Sequence, residues 1–281
     1  MTVPNPRPFA GTPEVWRLNV DHDVTILARY LKGRQWRQNK LAAVTAAASH
    51  SAATRAVLDR SDPAIADDLA TTACVAAALF AAASTSAGAQ VSTPHPQGGQ
   101  VTTTSIGLDT LDSSPLYWRR GLLAALIVRQ FEAIEVLARI SLETLRALAS
   151  TMPQFMMEER KALQAIALRG PGAADQIVPA ARAADPDAVG EGYRDWALDI
   201  VTPELQLGFH ALAHDRAKFD EWMVIAIEGH HHYYGRSDMA KEVQGQLALA
   251  PLAMACVAHD LGVTTTIESP YIPRWLIVGA G

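Results

Sequence analysis

Apolar residues recur at intervals of three and four positions through most of this chain of 281 residues, and alanine and leucine dominate it. Such spacing places apolar side chains on one face of an α-helix, and both residue types favour helix. The pattern therefore predicts an all-α protein. The predicted helices cover residues 21–38, 40–59, 63–84, 114–129, 131–149, 155–168, 173–184, 191–199, 203–214, 216–234 and 246–261.

One segment departs from the helical pattern. Residues 89–107, "AQVSTPHPQGGQVTTTSIG", have β-branched runs on both sides of a Pro/Gly turn, which predicts a short β-hairpin or an ordered loop. The helical pattern resumes at Ser114, so we expect a single α-helical domain over 1–281. Its N-terminal helices and the hairpin lie in 1–112, and a region of helical hairpins lies in 113–281.

Two stretches share a plan of apolar helix, short polar corner and early aromatic residue in the next helix. They are residues 122–138 and 207–228, and both are typical of αα-hairpins. In the second, Asp215 is expected to cap the helix that carries Phe219. The repetition predicts layered antiparallel helical hairpins in a solenoid-like arrangement, although no strict repeat period is visible.

Charge and composition exclude several classes of protein. A formal charge of -5 and a pI near 6.0 argue against nucleic-acid binding, which needs clustered Lys and Arg. The N-terminal residues have no basic segment followed by an apolar one, and no run reaches eighteen uninterrupted apolar residues. We therefore expect a cytoplasmic protein without a membrane span. Cys74 and Cys256 lie in Ala-rich stretches, where a thiol behaves as a small hydrophobe.

The densest set of titratable residues is "EGHHHYYGRSDMA", residues 228–240. Successive residues of a helix are rotated by about 100°, so His230, His231 and His232 cannot converge on one ion. His230 falls within an apolar stripe and is expected to be a core histidine with a hydrogen-bond partner. His232 falls on the polar face with Glu221 and Glu228.

The segment "HALAH" offers a better metal candidate, because His210 and His214 would lie one turn apart on a helix. A third ligand, His231 or Asp215, would have to come from elsewhere. No Glu stands between the two histidines as a general base, so the zincin motif is missing. A metal-dependent enzyme that uses this pair is one alternative hypothesis, and the favoured interpretation has no metal and no cofactor.

Other catalytic signatures are missing from the sequence. It contains no GxSxG elbow, no GxxxxGK[ST] loop and no GxGxxG after a strand. The acidic pairs Glu158–Glu159 and Asp67–Asp68 are most simply solvated helix faces. We therefore predict no catalytic residue.

Two long segments of the C-terminal third, "FHALAHDRAKFDEWMVIAIEGHHHYY" and "QLALAPLAMACVAHDLGVTTTIESPYIPRWLI", resemble the immunity 49 family of bacterial polymorphic toxin systems. The resemblance extends over residues 113–281, and residues 1–112 fit only in general character. The family's residues correspond here to Asp215, Phe219, His230 or His231, Tyr233 or Tyr234, Pro251, Leu252, Ala253, Cys256, Asp260, Gly262, Glu268, Ser269, Tyr271 and Pro273. Ala250 departs from the family, which often has Gly before the Pro-Leu-Ala run.

The resemblance implies a mostly helical cytoplasmic protein that binds a cognate toxin encoded by an adjacent gene, with no catalytic residue and no cofactor. Exposed side chains near the second hairpin are the predicted partner contacts, namely Glu221, His232, Arg236 and Asp238. A helical scaffold that binds peptides in a groove is the other alternative.

Overall fold

Helices dominate the computed structural model, which describes residues 3–6, 11–108, 114–149, 151–170 and 172–279. The predicted all-α class is therefore confirmed. The helices are α1 (Pro13–Tyr30), α2 (Gln38–Leu58), α3 (Ala64–Ala83), α4 (Pro115–Val128), α5 (Phe131–Ala138), α6 (Leu142–Leu148), α7 (Gln154–Leu168), α8 (Ala173–Ala183), α9 (Arg194–Trp196), α10 (Thr202–Leu212), α11 (Arg216–Tyr233), α12 (Leu249–Asp260) and α13 (Arg274–Val278).

Two predicted helices in residues 11–152 were wrong in extent. The first begins at Pro13 and ends at Tyr30, so residues 31–37 are not helical. The helix predicted over 131–149 breaks after Ala138, where Ser141 starts a new helix by accepting a hydrogen bond from the Thr144 backbone N–H at 3.0 Å. A capping hydroxyl competes with helix continuation, which explains the break.

The predicted hairpin is present and belongs to a small sheet. Strand β1 (Gln35–Arg37) precedes β2 (Gln90–Pro94) and β3 (Gln100–Thr104), and the strand order is β1-β3-β2. β2 and β3 form the antiparallel hairpin, and β1 pairs in parallel with β3. The sequence did not reveal β1, since three residues are too few for a period of two to be recognised.

The chain divides into two compact units, one of residues 11–152 and the other of residues 1–10 with 153–281. The single domain expected from the sequence stays a prediction. In the first unit α3 is central, because α2, α4, α5 and β2 all contact it. In the second unit α10 has this role and contacts α7, α8, α11 and α12.

Helices adjacent in sequence pack together in both units, as the predicted helical hairpins require. In a solenoid each repeat contacts only the repeats next to it, whereas α3 and α10 also contact helices that are not adjacent to them in the chain. Close approach of α3 and α4 depends on Gly121, where an added Cβ would lie 2.2 Å from the Cβ of Ala76. Small residues at this crossing let two helix backbones come together.

Among the described residues, α3 is the one helix long and apolar enough to cross a membrane. Most of it is buried inside the protein, and core helices have the same length and composition.

Two acidic residues expected to be solvated are buried instead, so that expectation was wrong for Asp68 and Glu159. Asp68 on α3 is 6% exposed and accepts hydrogen bonds from Ser51 Oγ at 2.6 Å and from Arg55 Nε at 2.8 Å. Burial raises the pKa of the Asp68 carboxyl, and the bonds from Ser51 and Arg55 oppose that rise. Glu159 is fully buried beside Arg160. Periodicity shows which residues share a helical face, but only tertiary packing decides which carboxylates on that face are buried.

Replacing Arg55 by methionine should destabilise the protein, because it leaves the Asp68 carboxylate buried without a cation. We expect the free energy of unfolding to fall by about 2–4 kcal/mol in urea titrations. The matched control is Arg139→Met, whose pair with Glu135 is exposed. That change should cost less than about 1 kcal/mol. Equal losses in the two variants would contradict a stabilising role for the Arg55 contact.

The thiol of Cys74 should be inert in the native protein. Burial in α3 raises its pKa to about 12, so almost no thiolate forms at neutral pH. A Cys256→Ala variant isolates this thiol. We expect no reaction with an aromatic disulfide reagent at pH 8 until denaturant is added, and rapid labelling under native conditions would show that α3 is accessible.

Candidate partner-binding surface

The consecutive histidines at the end of α11 have different hydrogen-bond partners. His230 is buried and its Nε2 donates to the Gly245 carbonyl at 3.0 Å. Its ring packs against Tyr234 and Tyr271, with centroids 4.7 and 5.1 Å away. His231 Nδ1 lies 2.9 Å from the Tyr271 hydroxyl. Both histidines therefore fix the end of α11 to the segments that follow it.

His232 is directed elsewhere. Its Nδ1 lies 2.7 Å from Oδ2 of Asp199, while 68% of its side chain stays exposed. Burial raises the pKa of the Asp199 carboxyl, and the hydrogen bond with His232 opposes that rise. The three rings have different hydrogen-bond partners and point in different directions, as the rotation of successive helical residues predicts.

The proposed pair of metal ligands does not share a helical face. α10 ends at Leu212, and His214 adopts a left-handed backbone with φ of 54°. The assumption that His210 and His214 lie one turn apart on a helix was therefore wrong. Across the described ranges, no group of three or more His, Cys, Asp or Glu side chains could hold a metal ion.

Asp215 caps α11 through the Lys218 backbone N–H at 3.1 Å, as predicted.

Arg236 is the centre of a charged cluster just beyond α11. Its Nη1 donates to Asp195 Oδ2 at 2.6 Å and its Nη2 to Asp238 Oδ2 at 3.1 Å. Its guanidinium also lies 5.3 Å from the centre of the Tyr233 ring. The structure thus brings the predicted Arg236 and Asp238 into contact, and they lie just beyond the helix end that carries His232.

Asp195 and Asp199, whose carboxylates contact Arg236 and His232, were not among the predicted site residues. Both lie in residues 194–212, which run on from α9 to α10 through a π-helical segment, Ala197–Val201. The prediction had ended a helix at residue 199 here. Two carboxylates four residues apart were a usable signal, since that spacing places them on one helical face.

Gly229 allows α11 to lie against the π-helical segment. A Cβ at this position would come within 2.4 Å of the Asp199 carbonyl oxygen and 3.0 Å of its Cα. Backbone atoms cannot move away as a flexible side chain can. Close approach of the two elements is what brings the Asp199 carboxylate to His232.

Glu221 lies at the other end of α11, about 16 Å from His232 along the helix axis at 1.5 Å per residue. Its carboxylate pairs with Lys218 Nζ at 2.8 Å. Even so, Glu221, Ile225, Glu228 and His232 form one exposed stripe, because their spacing of four, three and four residues keeps them on one face.

We call this stripe, together with the exposed and half-buried residues beside its end, the α11 face. Leu198 in the π-helical segment is 51% exposed and Ile225 is 37% exposed, so aliphatic side chains lie among the charges. The complete set is Asp195, Leu198, Glu221, Ile225, Glu228, His232, Arg236 and Asp238. Such a mixed surface has the chemistry of a protein-binding site.

A second feature adjoins the start of α11. Asp220 accepts hydrogen bonds from the hydroxyls of Thr265 at 2.5 Å and Thr266 at 2.7 Å, which fixes the C-terminal segment to the helix. That segment borders an open cavity of about 380 Å³, whose lining includes Ile267, Ile272 and Ile277.

Replacing Gly229 by alanine should destabilise the protein, although alanine favours helix over glycine. The new methyl group would meet the backbone of Asp199, so we expect the free energy of unfolding to fall by about 1–3 kcal/mol. Gly192→Ala is the matched control, because nothing lies within 4 Å of a Cβ there. Chemical denaturation measures both, and a Gly229→Ala variant as stable as wild type would refute the close packing.

Comparison with known families gave one finding that bears on function. A sequence model of the family described as Immunity protein 49 matches residues 55–276. The match begins well before residue 113, so the relation extends further towards the N-terminus than the motifs had indicated. Comparison with curated proteins and with solved structures found no match. Because the family match covers most of its length, the chain belongs to the Immunity protein 49 family.

Proposed function

We propose that this protein neutralises a cognate toxin by binding it stoichiometrically, without catalysing a reaction. The observation that carries the proposal is the family match over residues 55–276. Immunity proteins of this kind are generally not catalysts, and their role implies a toxin as the partner. The toxin is a secreted bacterial protein encoded by an adjacent gene, and the inhibitor acts in the cytoplasm.

The α11 face is the proposed contact surface, with Glu221, His232, Arg236 and Asp238 as contact residues. Its support is geometric. Arg236 is already oriented by Asp195 and Asp238, and His232 by Asp199. Side chains that are ordered before binding lose less conformational entropy when the complex forms. A preordered surface therefore suits an inhibitor that must bind tightly.

Co-expression tests the function directly. The product of the adjacent gene should inhibit bacterial growth when expressed alone, and this protein should restore growth and co-purify with it. A catalytically inactivated toxin variant permits titration of the complex, for which we expect a saturable, fixed stoichiometry. If the adjacent product neither binds nor is neutralised, the proposed function is wrong.

Replacing Arg236 by alanine should weaken toxin binding, because Asp195 and Asp238 lose the guanidinium that orients them before the complex forms. We expect Kd to rise at least about tenfold, which corresponds to about 1.4 kcal/mol. Arg139→Ala is the matched control, since it removes an exposed arginine with a carboxylate partner in the other unit. Isothermal titration calorimetry gives both constants, and equal affinity of the two variants would exclude Arg236 as a contact.

A further inference from the structure

Acidic charge is concentrated in one of the two units. Residues 1–10 with 153–281 contain 17 Asp and Glu against 11 Lys and Arg, whereas residues 11–152 contain 12 against 13. The net negative charge of the chain therefore arises entirely in the unit that contains residues 153–281. This is the part that carries the α11 face.

On the α11 face itself, the basic groups are neutralised by neighbours. Arg236 lies between Asp195 and Asp238, and Lys218 beside the face pairs with Glu221. The face itself thus has one permanent cation, Arg236, against four carboxylates, which are Asp195, Glu221, Glu228 and Asp238.

Glu228 is the most available of these carboxylates. It is exposed, and no Lys or Arg of the described residues pairs with it. It is one turn from Ile225 on one side and from His232 on the other, so a partner that covers Ile225 also meets the Glu228 charge. Apolar contact and unbalanced negative charge therefore coincide at the middle of the stripe.

We infer that the α11 face receives a lysine- and arginine-bearing surface of the toxin, with Ile225 and Leu198 buried at the contact. This inference rests on the proposed function and adds the chemistry of the partner surface. Negative charge on the face accelerates encounter with a basic surface, since oppositely charged patches steer association. Residues 11–152, with 12 Asp and Glu against 13 Lys and Arg, do not attract such a surface.

The test measures association rates with the catalytically inactivated product of the adjacent gene. In the double variant Glu221→Lys/Glu228→Lys the charge of the stripe is reversed, and we expect the association rate constant to fall about tenfold or more. The dissociation rate constant should change less. Raising the salt concentration should slow association of the wild type and have little effect on, or accelerate, that of the variant, because salt screens both attraction and repulsion.

The matched control is Asp21→Lys/Glu143→Lys. It changes the net charge by the same amount at exposed positions of α1 and α6 in the other unit. This control should keep the wild-type association rate within about twofold. Circular dichroism and thermal unfolding establish that both variants are folded.

Three outcomes separate this inference from the proposed function. A selective loss in the Glu221/Glu228 variant supports it. If the toxin binds the wild type but the two variants associate equally fast, the inference fails and the proposed function stands. If the wild type does not bind the adjacent product at all, the proposed function fails and the inference fails with it.

Discussion

Close approach of helix backbones is the constraint on which this structure depends. It requires positions without a bulky side chain, and alanine and glycine supply them where helices cross. Gly121 meets Ala76 between α3 and α4 in one unit, and Gly229 meets Asp199 between α11 and the π-helical segment in the other. Helices at such short distance gain dispersion contacts over their whole length, and larger residues would force them apart.

The α11 face follows from this packing. Because Gly229 admits the π-helical segment, the Asp199 carboxylate reaches His232 and Asp195 reaches Arg236. On the opposite side, the buried His230 bonds to Gly245 and packs on Tyr271. The end of α11 is thus held from both sides, and its outer surface presents side chains whose orientation is already set.

Helix positions were largely predictable, because periodicity is a local property of the chain. The helix starts at Ser114 and Asp215 were predictable for the same reason, since each of these residues caps its helix through a backbone N–H only two or three residues away. The strand at residues 35–37 was not predictable, because it exists only by pairing with residues 102–104. The burial of Asp68 and Glu159 could not be predicted from the sequence either, because it depends on how different helices pack together.

For the candidate site, the residues of α11 and the following turn could be chosen from the sequence, and their partners could not. The sequence by itself determined that the chain is helical, that the three histidines diverge, and that the family is one of immunity proteins. Tertiary structure alone decided that His214 leaves its helix, that Asp195 and Asp199 orient Arg236 and His232, and that negative charge remains exposed beside Ile225. The physical reason is range: helix geometry is fixed by neighbours within a few residues, whereas a surface is assembled from elements that the chain brings together only when it folds.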